Sequence, residues 1–134
     1  MFIDAAAIIA ILSDENEAER CSDAVVAAAE RFTSAIAVWE AAVALARPDK
    51  FAISVDDSRR LVIAFLEQRD TAVRDLPDPS AAVSLSLDAA MRFRSGPNRL
   101  NLADCFHYAC ARHYAVPMLS TADEFRLTDL ETIP

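Results

Sequence analysis

The spacing of apolar and polar residues changes repeatedly along the chain, and these changes predict strands that alternate with helices. Residues 1–4 are typical of a short buried strand, and residues 5–12 are typical of a helix. Further strands are predicted over 32–36, 71–77, 116–120 and 128–133. Further helices are predicted over 14–32, 38–48, 54–70, 80–96, 101–115 and 122–127. The alternation predicts an α/β protein whose mostly parallel sheet carries helices on both faces.

Local signals indicate where several helices begin and end. Ser54 and Asn101 are suited to accept hydrogen bonds from the free N–H groups at a helix start. Pro48 ends one helix because it has no N–H to donate. Gly96 ends another because glycine readily adopts the left-handed backbone that follows a helix.

Length and composition limit the class of protein. The chain has 134 residues, of which 54% are hydrophobic, so a single domain over 1–134 with a substantial core is expected. The N-terminal apolar stretch has no basic start and is interrupted by Asp4, which argues against a signal peptide or a membrane span. A cytoplasmic protein without membrane contact is therefore expected.

Charge and residue counts exclude several kinds of site. The net charge of −8 argues against a broad basic surface for nucleic acid. Gly96 is the only glycine, so a glycine-rich phosphate loop is excluded. The three cysteines show neither a disulfide nor a zinc pattern. A phosphoacceptor domain needs paired acids after its first strand and a lysine near its last strand, but Asp4 stands alone and Lys50 is the only lysine.

Four acids that are distant in sequence follow the predicted strands or begin the predicted helices. These acids are Asp4, Glu40, Asp104 and Asp123, and each has apolar neighbours. In open parallel sheets, ligands bind beyond the carboxyl ends of the strands, so the four carboxylates are expected on one rim. Taken singly, each is equally explained as a helix cap or a surface residue. Together they favour a site for a hard cation such as Mg²⁺ or Mn²⁺, as used in phosphodiester cleavage.

Four stretches around these acids resemble the PIN-domain ribonucleases, and specifically the VapC toxins of type II toxin–antitoxin pairs. They are MFIDAAAIIAIL, TSAIAVWEAAVALAR, LNLADCFHYACAR and VPMLSTADEF, in the order that the family has them. The resemblance implies a three-layer α/β/α sandwich with a short, mostly parallel central sheet. It implies catalytic metal ligands at Asp4, Glu40, Asp104 and Asp123. Mg²⁺ is the implied ion, with Mn²⁺ able to substitute.

The same resemblance suggests supporting residues and partners. Ser34 and Thr121 match small hydroxyl residues of the family and would hold a carboxylate or a metal-bound water. The cluster Arg92, Arg94 and Arg99 is the best candidate for contacts with RNA phosphates, with a solvated surface as the alternative. The implied partners are an RNA substrate, a cognate antitoxin protein and a second copy in a homodimer. His107 and Trp39 are interpreted first as packing residues, although both stand close to the acids in sequence.

The sequence therefore predicts a metal-dependent endoribonuclease that acts as the toxin of a toxin–antitoxin pair. It would cleave RNA phosphodiester bonds with a metal-activated water, and one carboxylate would assist in deprotonating that water. The alternative is a catalytically silent PIN-like module that binds RNA or protein. Retention of all four acids favours the enzyme over the silent module.

Overall fold

The computed structural model describes residues 1–96 and 99–133, and within them it has five strands and seven helices. The strands are β1 (Phe2–Ile3), β2 (Phe32–Ser34), β3 (Ala72–Arg74), β4 (Met118–Leu119) and β5 (Thr132–Ile133). The helices are α1 (Ala5–Leu12), α2 (Ala18–Ala27), α3 (Ala35–Ala46), α4 (Val55–Gln68), α5 (Pro79–Phe93), α6 (Leu102–His113) and α7 (Asp123–Arg126). In these ranges no helix has both the length and the apolar character needed to cross a membrane.

The strands form one sheet in the order β3-β2-β1-β4-β5, and each neighbouring pair is parallel. The connections from β1 to β2 to β3 run one way across the sheet, and those from β3 to β4 to β5 run the other way. Because such crossovers are right-handed, α1–α4 cover one face of the sheet and α5–α7 the other. The predicted α/β sandwich is confirmed. Its central strand β1 has β2 on one side and β4 on the other.

The core lies on both faces of these short strands. Phe2 and Phe32 are completely or almost completely buried on neighbouring strands, and their rings meet edge to face with centroids 5.7 Å apart. The buried Thr33 hydroxyl donates a 2.7 Å hydrogen bond to the carbonyl of Ile3, which ties β2 to the end of β1. The sheet thereby holds rigidly the points at which β1 and β2 end.

The structure bears out the local helix signals. The helix predicted over 5–12 has the same bounds as α1. Ser54 caps α4 by accepting a 3.0 Å hydrogen bond from the N–H of Asp57, and Asn101 caps α6. Gly96 is the exception: helix α5 already ends at Phe93 with Arg94 as its C-cap, and Gly96, with a φ of +96°, lies beyond this cap.

Several predicted elements were too long. The helix predicted over 14–32 extends only over α2, because Asp14 has a φ of +53° and Ala28 is already extended. The guanidinium of Arg31 donates to the carbonyls of Val25 and Ala28 and so satisfies the C-terminal end of α2. The strand predicted over 32–36 stops at Ser34, because the Ser34 hydroxyl caps α3 and the helix begins at the next residue.

Candidate active site

The first acid is held at the carboxyl end of the central strand. Asp4 follows β1 directly, caps α1, and is only 3% exposed. Its Oδ2 accepts a 2.7 Å hydrogen bond from the Ser120 hydroxyl and a longer one, 3.4 Å, from the N–H of Ala6. Ser120 comes immediately after β4, so the two neighbouring strands together fix this carboxylate.

A buried histidine stands between two acids. His107 is 0% exposed, and its Nδ1 lies 2.7 Å from Oδ1 of Asp4. Its Nε2 lies 3.3 Å from Oε2 of Glu40 on α3. Neither ring nitrogen is aligned for a regular hydrogen bond. The ring packs against Phe2 with centroids 5.7 Å apart, so the core holds the imidazole in this position.

The third acid belongs to the first turn of α6. Asp104 and Asn101 form a capping box: the Asn101 side chain accepts a 3.0 Å hydrogen bond from the N–H of Asp104. In return, Oδ2 of Asp104 accepts a 2.6 Å hydrogen bond from the N–H of Asn101. One carboxylate oxygen is therefore committed to the helix start, and Oδ1 has no such bond to the cap.

These acids share one cleft of about 400 Å³ beside the carboxyl ends of the strands. The charged and aromatic residues that line it are Asp4, Glu40, Asp104, Glu124, Arg47 and Trp39. A model of the PIN domain matches residues 1–129. The chain belongs to the PIN-domain family. The resemblance carried by the four sequence motifs is therefore confirmed.

Named relatives of this PIN domain include ribonucleases. Ribonuclease VapC of Mycolicibacterium smegmatis is 32% identical over 135 residues, 99% of each chain. Ribonuclease VapC28 of Mycobacterium tuberculosis is 30% identical over 132 residues, 98% of this chain and 96% of that protein. The crystal structure of VapC20 from Mycobacterium tuberculosis, described as a sarcin–ricin loop cleaving toxin, has a TM-score of 0.69. It covers 99% of this chain and 98% of that chain at 12% identity, which shows a shared fold.

Burial and mutual repulsion set the protonation of the cleft of this PIN domain. Burial, with help from the charges of Asp4 and Asp104, raises the pKa of Glu40 against the opposing effect of His107. Burial and the charge of Asp4 likewise raise the pKa of Asp104, although the bond from Asn101 opposes them. The acids of the cleft therefore carry an excess of negative charge that is costly when nothing offsets it.

The Asp4–His107 contact lowers the pKa of the carboxylate and raises the pKa of the imidazole. Burial alone would raise the pKa of Asp4, but the contact with His107 and the bond from Ser120 outweigh it, and the pKa is lowered. Burial alone would lower the pKa of His107, but Asp4, Glu40 and Asp104 outweigh it, and the pKa is raised. Each of the two groups thus stabilises the charged form of the other.

The donor chemistry of the cleft suits a divalent cation. As the side chains stand, no three His, Cys, Asp or Glu groups converge on a common point within residues 1–96 and 99–133. The three carboxylates Asp4, Glu40 and Asp104 nevertheless line one cleft, and burial, with a smaller effect of their mutual repulsion, raises the pKa of Glu40 and Asp104. Carboxylate oxygens are the ligands that Mg²⁺ and Mn²⁺ accept in proteins.

The fourth predicted acid lies elsewhere. The Asp123 side chain is 71% exposed and stands 3.6 Å from Arg126, on the first residue of α7. The next residue, Glu124, lines the cleft instead. Its charge also helps to raise the pKa of Asp104. Both acids stand in the same sequence motif, and their spacing from the strand does not distinguish Glu124 from Asp123.

The structure shows where the two predicted supporting hydroxyls lie. Ser34 is buried and caps α3 by accepting a 3.2 Å hydrogen bond from the N–H of Ala37. Thr121 is half-buried, and the hydroxyl that reaches Asp4 belongs to its neighbour Ser120. The sequence offered one signal for Ser120, its position as the last residue of the strand predicted over 116–120.

The predicted basic cluster is partly neutralised. Arg92 contacts Asp88 at 3.2 Å and Asp129 at 2.9 Å, whereas Arg94 and Arg99 are exposed. Arg47, for which the sequence carries no signal of a role, lines the acidic cleft and donates two hydrogen bonds to Asp49. The sequence alone favours a packing role for His107. It is fully packed, and it is at the same time the residue that joins two acids of the cleft.

Proposed function

We propose that this PIN domain, acting as one domain over residues 1–134, is a metal-dependent endoribonuclease and the toxin of a toxin–antitoxin pair. The observation that carries the proposal is the meeting of Asp4, Glu40 and Asp104 in one cleft, although they come from three different elements. The ribonuclease names of relatives that match nearly the whole chain support RNA as the substrate.

In this proposal the acidic residues bind Mg²⁺, and Mn²⁺ substitutes for it. Asp4, Glu40 and Asp104 form the core of the site. The segment after β4 supplies a further acid, for which the sequence favours Asp123 and the lining of the cleft favours Glu124. The bound ion would polarise the phosphate and lower the pKa of the attacking water. Ser34 and Thr121 would not bind the ion themselves. They would orient the segments that carry Glu40 and the fourth acid.

The residues around the acids suit an exposed stretch of RNA. Hydrolysis joins the water oxygen to phosphorus and releases a ribose oxygen, which takes up a proton. A carboxylate beside the water is suited to accept the proton that the water loses. Single-stranded or looped RNA fits best, because the phosphate must reach a recessed site. Arg94 and Arg99, together with Arg92 once it leaves its acidic partners, would contact flanking phosphates.

Two protein partners complete the proposal. A cognate antitoxin would cover the acidic cleft with a basic segment, since the net charge of −8 favours a cationic partner. A second copy would pack on α5, where Val83, Leu87 and Met91 are 56%, 58% and 78% exposed. These three residues are four positions apart and form one ridge, the geometry that lets a helix pack against its own copy.

Mn²⁺-dependent cleavage of single-stranded RNA tests the proposed activity. Asp104→Asn removes the negative charge but keeps an oxygen that accepts the hydrogen bond from the Asn101 N–H, so the capping box survives. We expect cleavage to fall at least about a hundredfold, the equivalent of about 3 kcal/mol of lost electrostatic stabilisation. Circular dichroism would show an unchanged fold. Asp123→Asn and Glu124→Gln, compared side by side, identify the fourth acid.

The silent module predicts a different result. It would bind RNA or protein with no cleavage in Mn²⁺, and Asp104→Asn would leave that binding unchanged. RNA cleavage that persists at the wild-type rate in Asp104→Asn would refute the proposed site. Cleavage that a chelator does not reduce would refute the proposed dependence on a metal ion.

A further inference from the structure

The imidazole of His107 is buried behind the lining of the acidic cleft, where it contacts Asp4 and Glu40. It is 0% exposed, and both ring nitrogens face carboxylate oxygens without the alignment of a regular hydrogen bond. A buried polar group normally has well-aligned partners, because desolvation without them is costly. The contact with Phe2 uses the face of the ring and needs neither ring nitrogen, so it does not account for a polar side chain at this position.

The two ring nitrogens have different surroundings. Nδ1 is 2.7 Å from Oδ1 of Asp4, a carboxylate that is itself held by Ser120 and by the start of α1. Nε2 faces Oε2 of Glu40 at 3.3 Å, and the Glu40 side chain is 27% exposed. Histidines that bind metals almost always direct their second nitrogen at a carboxylate or carbonyl, which fixes the ring and its tautomer. Asp4 is in position to do this for His107.

The Nε2 to Oε2 distance also suits two ligands of one ion. Neighbouring ligand atoms at about 2.1 Å from an octahedral ion are separated by about 3 Å. We propose that His107 Nε2 is a nitrogen ligand of the divalent cation that Asp4, Glu40 and Asp104 bind, and that Asp4 also holds the ring through Nδ1. The inference rests on the proposed metal-dependent function and alters its ligand set from oxygen alone to oxygen with one imidazole nitrogen.

A mixed ligand set changes which ion the site prefers. Mg²⁺ is bound through oxygen, whereas first-row transition ions accept imidazole nitrogen. The site would therefore bind Mn²⁺ in preference to Mg²⁺, and this preference would depend on His107. A histidine that merely positioned Asp4 and Glu40 would strengthen the binding of both ions equally.

Mn²⁺ alone, added to the full chain, gives a direct test by electron spin echo spectroscopy. An imidazole bound to Mn²⁺ produces a modulation from its ¹⁴N nucleus, and the chain has only two histidines, His107 and His113. His113 is exposed at the end of α6, so His113→Gln is the matched control. We expect the ¹⁴N modulation in the wild type and in His113→Gln, and its loss in His107→Gln.

Affinities provide the second measurement. His107→Gln should weaken Mn²⁺ binding at least about tenfold, and the affinity for Mg²⁺, measured by competition, should change by less than about threefold. Mn²⁺ that binds to the wild type without ¹⁴N modulation overturns the ligand role and leaves the proposed function standing. Equal losses of Mn²⁺ and Mg²⁺ affinity in His107→Gln likewise overturn the ligand role and leave the proposed function standing. Failure of the wild type to bind Mn²⁺ at all overturns both. The wild-type spectrum decides the question even if His107→Gln does not fold.

Discussion

Replacement of Asn101 by alanine removes one half of the capping box at the start of α6, the helix that carries both Asp104 and His107. The Asn101 side chain accepts a 3.0 Å hydrogen bond from the N–H of Asp104, and Asn101 is exposed, so the change removes this bond and little packing. Loss of such a cap costs about 1 kcal/mol of the free energy of unfolding.

The expected shift in Tm follows from the length of the chain. At about 2.1 cal/mol/K per residue, 134 residues have an unfolding entropy of about 0.3 kcal/mol/K. Asn101→Ala should therefore lower Tm by roughly 3–4 °C. Thermal unfolding is followed by circular dichroism with a chelator present, because an ion that binds only the folded state would raise Tm and mask the effect.

Asn101→Ser is the matched control, because serine caps helices about as well as asparagine. Its Tm should stay within about 2 °C of the wild type, since the change is expected to cost less than about 0.5 kcal/mol. Equal losses in the serine and alanine variants would show that the cap is not the source of the stability. An unchanged Tm in Asn101→Ala would show that the bond adds nothing to folding.

Two further predictions concern Asp4 and the surface of α5. Since the pKa of Asp4 is lowered in the folded state, its contribution to stability is present above the ordinary aspartate pKa and is lost as the pH falls through the lowered value. Ser120→Ala should thus cost about 2 kcal/mol at pH 7 and less near pH 3 by urea unfolding, and a cost independent of pH would contradict this reasoning. Leu87→Glu should convert a dimer to a monomer in sedimentation velocity. Val26→Glu, which changes a 65% exposed apolar residue of α2, should leave the dimer intact. A dimer that survives Leu87→Glu would exclude the exposed face of α5 as the interface.

Much of the fold follows from local sequence signals. The order of strands and helices, the exact extent of α1 and the caps at Ser54 and Asn101 depend on residue spacing and on hydrogen bonds over three or four residues. The same signals bring Asp4, Glu40 and Asp104 to one rim, because the carboxyl ends of parallel strands meet at the same edge of a sheet. The predicted strands are longer than the observed ones. A strand ends where its hydrogen-bonded neighbour in the sheet ends, and the local sequence does not show where that is.

The direction in which individual side chains point was decided by tertiary packing alone. Adjacent residues on a helix point about 100° apart, so the choice between Asp123 and Glu124 depends on how one short turn packs against the sheet. The Ser120 hydroxyl reaches Asp4 across 116 positions of sequence because β1 and β4 are neighbours. His107 meets Asp4 and Glu40 only because α6 contacts α3 and the His107 ring packs against Phe2 of β1. Residue types and their spacing determined which groups this protein has, and long-range packing determined which of them touch.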